Sequence, residues 1–184
     1  EAARTALTAA GGDYRAAAYL AALQLTQGET QSALKTAREA VQAAPSSALA
    51  QESLAAAEFF TGDLDAARVA VDAALALNPD SASARLLSAD LAVMAGDLAT
   101  GQREAEWSVA LDPTLAPAYN TLGMIFLARN DLVAAEKAFS HAVRYNPGLV
   151  SAQTGLGVTY QRQGRLAEAL QQQTAAVALD SRLA

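Results

Sequence analysis

The chain has 184 residues, of which 52% are hydrophobic but only 5% aromatic; it has no cysteine and a formal net charge of -6. The acidic balance opposes nucleic-acid binding, which rests on clustered Lys and Arg. The missing thiols exclude disulfides, thiolate metal sites and cysteine nucleophiles. Charged or polar residues interrupt every hydrophobic stretch before it reaches the roughly 20 residues of a membrane-spanning helix, so no direct membrane insertion is expected.

Alanine, the strongest helix former, recurs throughout, so the expected fold is all-α, with a core of small side chains between closely approaching helices. Residues 1–12 come first. Gly11 lies 34 residues before Pro45, so Glu1 to Ala10 are expected to form the second helix of a truncated preceding repeat. From Tyr14 the pattern is regular. Pro45, Pro79, Pro113 and Pro147 follow one another at 34-residue intervals, three of them in Asn-Pro or Asp-Pro pairs. Gly28, Gly62, Gly96, Asn130 and Gly164 keep the same interval.

The two series alternate and divide each period into two helices. Gly, or Asn as the next best residue, accepts the left-handed conformation that closes a helix. Asp63, Asp97 and Asp131 come next, where a short carboxylate can take up free backbone N–H groups at a helix start. The prolines then block the second helix of each pair and bias the preceding residue away from helix.

A 34-residue helical hairpin resembles the tetratricopeptide repeat (TPR), with its W-x2-L-G-x2-Y, A-x3-F and P pattern. The fourth unit carries it best, through Tyr119, Leu122, Gly123 and Phe126, then Ala135 and Phe139, then Pro147. The fifth matches at Leu156, Gly157, Tyr160 and Ala169, while Gln153 and Gln173 replace aromatic residues. The first three are degenerate but in phase: Leu20, Ala33, Ala37 and Ala40; Leu54, Ala67, Val71 and Ala74; Ala89, Ala105 and Ser108. The resemblance implies a right-handed α-solenoid of antiparallel helix pairs, a TPR superhelix over 13–184 with units 14–47, 48–81, 82–115, 116–149 and 150–183.

Little in the chain suggests catalysis, which needs convergent groups of tuned protonation. His141 is the single histidine and falls beside Ala142 and Phe139, which suits a structural role. The acidic residues, including Glu104, Glu106, Asp65 and Asp72, recur at helix starts and exposed faces. Gly155-Leu156-Gly157 belongs to the repeat signature and lacks the preceding strand of a dinucleotide fingerprint. The expectation is no enzyme, no cofactor, no metal and no small-molecule substrate.

The resemblance further implies a protein-protein interaction scaffold, in which successive first helices line a concave groove for a protein or peptide partner. Carried onto this chain, that groove includes Glu52, Phe60, Leu86, Asp90, Met94, Asn120, Met124 and Arg162. The family's carboxylate clamp is missing, since Ala18, Ala22, Ser53, Ser83 and Leu87 occupy its positions. An asparagine ladder is missing too. The remaining groove chemistry is apolar, and flexible, polarizable Met94 and Met124 suit an apolar helix or extended peptide. Phe59 and Leu127 read as core, and Trp107 as packing against a neighbouring helix.

The alternative is a structural spacer or self-assembly module, a homo-oligomer joined through open solenoid ends. Such arrays need polar end caps, whereas the last helix offers Leu166, Ala169, Leu170, Ala176 and Val177. With no Met at the start, the sequence is expected to be a window on a longer, bacterial-type protein. Cytoplasmic and periplasmic locations both fit.

Overall fold

The computed structural model describes residues 13–183, so the expected half-repeat in residues 1–12 lies outside the described residues. Among the described residues ten α-helices follow one another, with no strand: α1 (Tyr14–Thr26), α2 (Thr30–Ala43), α3 (Ala48–Thr61), α4 (Leu64–Leu77), α5 (Ala82–Met94), α6 (Leu98–Leu111), α7 (Ala116–Ala128), α8 (Leu132–Tyr145), α9 (Val150–Arg162) and α10 (Leu166–Leu183). The chain divides between Leu91 and Ala92 into two compact units.

Each odd-numbered helix ends on a residue with positive φ, from 59° at Asn130 to 87° at Gly62. At Gly62 the device is complete. Its N–H donates to the Phe59 carbonyl at 3.1 Å, and the Asp63 N–H reaches back to the Glu58 carbonyl at 3.0 Å, satisfying two carbonyls that a helix end leaves open. The Asp63 carboxylate then accepts from the Ala66 N–H at 3.1 Å and caps α4. One residue thus closes a helix with its backbone and opens the next with its side chain. Asp97 and Asp131 do the same, accepting from the N–H groups of Thr100 and Ala134 at 3.0 and 3.1 Å. Glu29, at the equivalent place before α2, makes no such side-chain cap.

The first four even-numbered helices stop before proline. Asn78, Asp112 and Asn146 are extended, with φ of −141°, −131° and −137°, as the following proline ring demands. Their Oδ1 atoms accept from the N–H groups of Asp80, Thr114 and Gly148 at 3.3, 2.9 and 3.0 Å. A second tie holds each loop to the next helix. Gln51 Nε2, Arg85 Nε, Tyr119 OH and Gln153 Nε2 donate to the carbonyls of Pro45, Pro79, Pro113 and Pro147 at 3.1, 3.1, 3.2 and 2.7 Å. Gln153 departs from the aromatic signature, yet it keeps the bond that Tyr119 makes.

Within the first unit the core is mostly alanine. Ala21, Ala33, Ala37 and Ala57 form one cluster, and Ala17, Ala18, Ala40 and Ala50 another. Val71 and Leu91 join Ala55, Ala67 and Ala70 in a third. Small side chains allow the helix axes to approach closely, and stabilisation comes from many small burials rather than a few large ones.

The second unit also buries larger side chains, among them Leu122, Ile125 and Leu156. Phe139 on α8 is fully buried in a cluster with Ala135, Ala142, Ala152 and Leu156. Its ring lies between two glycines. A Cβ built on Gly123 of α7 would stand 2.6 Å from Phe139 Cδ1, and one on Gly155 of α9 would stand 2.4 Å from Cε1. The missing methyls make the slot that holds the ring.

Candidate functional site

The first helix of each pair places the residues expected to meet a partner. In the first unit, Phe60 is exposed near the end of α3 and meets the half-buried Phe59 edge to face, with centroids 5.6 Å apart. Phe59 packs on the Val71 and Leu91 cluster, so the two rings divide between core and surface. Glu52 is half-buried on the same helix. Burial pushes its carboxyl above the ordinary range, partly offset by a hydrogen bond with Ser81. Leu86 and Asp90 on α5 are half-buried.

In the second unit, Met94 and Met124 are exposed at the end of α5 and on α7. Asn120, one turn before Met124, is buried, and its Oδ1 has no hydrogen-bond partner among the described residues. Arg162 is exposed and donates to the Leu127 carbonyl at 3.2 Å, where a cation meets the carboxyl end of α7. Leu127 packs on the Phe139 cluster. Trp107, on α6, is partly exposed.

His141 lies in an aromatic stack. Its ring is 5.0 Å from Tyr119 and 6.3 Å from Tyr145, near parallel to both. Among the described residues no group of His, Asp and Glu could hold a metal ion, and no helix is long and apolar enough to cross a membrane.

Two features had no sequence signal. Arg165, at the turn before α10, bonds Glu136 at 2.8 Å, pairs with Glu168, and lies over the Tyr160 ring at 4.2 Å. Its hydrogen bonds lower both carboxyls below their usual range. Glu58 is a buried carboxylate on α3, 4.0 Å from the Arg38 guanidinium. Burial raises its pKa; Arg38 partly offsets this, and Asp63 adds to the rise.

Because the folded Glu58 carboxyl protonates at higher pH than the unfolded one, its contribution to stability is fully present below the ordinary carboxylate range. It is lost as pH rises through the raised value. Glu58→Gln should therefore raise the melting temperature at pH 7, by about 1 kcal/mol or less in stability, and change it little at pH 3. Thermal melts at the two pH values check this; an equal shift at both would show that burial of the charge is not the cause.

A family model for the tetratricopeptide repeat matches residues 49–101 and 120–184. The chain belongs to the tetratricopeptide repeat family. Its all-α fold is shared with solved TPR structures. TTC0263, a thermophilic TPR protein in Thermus thermophilus, is 19% identical with a TM-score of 0.79, covering 92% of this chain and 96% of that one. YrrB, a TPR protein with an unusual peptide-binding site, is 20% identical at a TM-score of 0.60, covering 97% and 92%. MamA from Desulfovibrio magneticus RS-1 is 20% identical at 0.66, covering 92% and 96%. No curated protein matches the chain.

Proposed function

We propose that the chain is a non-catalytic scaffold that binds a mainly apolar peptide or helix of a partner protein on the faces of its odd-numbered helices. The exposure of Met94 and Met124 carries this reading, because both methionines of the chain stand on such helices in solvent. Met side chains adapt to apolar partners of varied shape. The unusual peptide-binding site of YrrB supports the same class of partner. Glu52, Phe60, Leu86 and Asp90 would serve in the first unit, and Asn120 and Arg162 beside the methionines in the second.

The test is capture from an extract of the native organism with the wild-type chain and with Met94→Glu combined with Met124→Glu. The expected result is a protein retained by the wild type and lost from the double variant, whose helicity and melting temperature are unchanged. Identical capture by both chains would overturn the reading, and loss of folding in the variant would assign the methionines to the core.

A further inference from the structure

Within the first unit, α3 and α4 hold a notch of about 370 Å³, lined by Leu54 and Glu58 of α3 and by Ala66, Val69, Ala70 and Ala73 of α4. Gln51, also at the notch, is tied to the Pro45 carbonyl. The repeat shows what this place usually holds. Phe126 and Tyr160 stand two and three periods after Glu58, and both pack partly buried rings on the core of the second unit. Gln24 and Ala92 lack a ring at the same position, but in their units Lys35 and Arg103 stand where Val69 does. Lys137 and Gln171 fill that position in the remaining two. Val69 is thus the single apolar residue of the series, and it is 71% exposed. Only the Glu58 notch combines a missing ring with an apolar rim.

Its polar group is unsatisfied. Glu58 is 7% exposed, and among the described residues its carboxylate accepts no hydrogen bond. The Arg38 guanidinium, reaching over from α2, stands 4.0 Å away, beyond hydrogen-bond reach. A buried acid without a donor costs stability, and burial raises its pKa. A perturbed carboxyl in an apolar cleft is the arrangement of a binding site.

These features select the occupant. The apolar wall and the vacant ring position call for a ring, the open acceptor calls for a donor on that ring, and Arg38 beside the carboxylate opposes a second cation. We propose that the notch receives a tyrosine side chain of a partner polypeptide, with its ring against Leu54, Ala66, Ala70 and Ala73 and its hydroxyl donating to the Glu58 carboxylate. The chain holds an internal version of this arrangement. Tyr160 packs its ring at the equivalent place, with the Arg165 guanidinium 4.2 Å from the ring centroid, and the exposed Arg38 can turn over the incoming ring in the same way. Met94 and Met124 take no part, so the inference is independent of the peptide-binding reading.

The test is a titration of the isotope-labelled chain, followed by backbone amide NMR, with N-acetyltyrosinamide, N-acetylphenylalaninamide and N-acetyllysinamide at millimolar concentration. The tyrosine probe should give saturable shifts on α3 and α4 around Glu58 and Ala70. The phenylalanine probe, with no donor for the charged acceptor, should bind about tenfold or more weakly. Glu58→Phe, which supplies the missing ring from within, should raise the melting temperature and abolish the shifts. Glu58→Gln keeps the shape and loses the charge; it should weaken the tyrosine probe severalfold and leave the phenylalanine probe unchanged, and it decides the matter should Glu58→Phe fail to fold. Equal binding of the tyrosine and phenylalanine probes would overturn the proposal, and so would the absence of saturable shifts. Preference for the lysine probe would overturn it in favour of a cation site, and shifts that persist in folded Glu58→Phe would place the binding elsewhere.

Discussion

Phe139→Ala should cost about 3–5 kcal/mol of stability, the range for removing a buried phenyl ring, and should fall toward the upper end. A cavity is relieved when neighbouring side chains swing into it, and here two of the walls are Gly123 and Gly155, which have none. Filling the gap from those two sides would require α7 and α9 to move as backbones. The loss should also be uneven along the chain, because repeat arrays are stabilised by nearest-neighbour contacts and need not melt as one unit. Trp107, the single tryptophan, reports from α6, two helices before Phe139. In the variant, denaturation followed by circular dichroism should therefore begin before denaturation followed by Trp107 fluorescence. Coincident curves with a loss under about 1 kcal/mol would mean that the ring does not hold α9 in place.

Gly155→Ala should destabilise, against the usual trend. In a helix interior, replacing Gly by Ala ordinarily gains about 1 kcal/mol. Here the new methyl would stand 2.4 Å from Cε1 and Cζ of Phe139, and the ring cannot retreat because Gly123 closes the other side. Overpacking of this kind costs about 1–3 kcal/mol, which outweighs the gain in propensity. The sign should reverse when the ring is shortened: in a Phe139→Leu background the same change should be neutral or stabilising. The double-mutant cycle isolates the coupling between the two positions. A stabilising Gly155→Ala in the otherwise wild-type chain would show that the slot is looser than its geometry.

Features that answer to the backbone were legible in the sequence. Left-handed residues at helix ends, carboxylates at helix starts and prolines that stop helices are each demanded by one local conformation, so residue type alone reveals them. The phase of Ala33, Ala67 and Ala135 was legible for the same reason, since close helix approach admits little else.

Pairwise features were hidden. Phe139 stood in the A-x3-F signature, but Gly155 occupies a place where Ser53, Leu87 and Thr121 stand in other units, and nothing marks it as the far wall of the slot. The ties to the proline carbonyls were hidden because Gln, Arg and Tyr share only the ability to donate a hydrogen bond over the same span. Among the candidate site residues, Met94, Met124 and Phe60 are exposed. The burial of Asn120 depends on neighbours that spacing does not reveal.

The turn between paired helices has no slack. Because the N–H that closes α3 and the carboxylate that opens α4 belong to the one residue Asp63, a single residue inserted between Gly62 and Asp63 would separate the two roles and break the bond to the Glu58 carbonyl. It would also start α4 one residue further from the end of α3, moving Ala67, Val71 and Ala74 from their places in the core. The proline loops join separate hairpins and are tied to the next helix by the long side chains of Gln51, Arg85, Tyr119 and Gln153, which reach over a change in length more readily than a backbone bond does. Natural variation in repeat length should therefore collect before the odd-numbered helices, while the turns after them keep a fixed count.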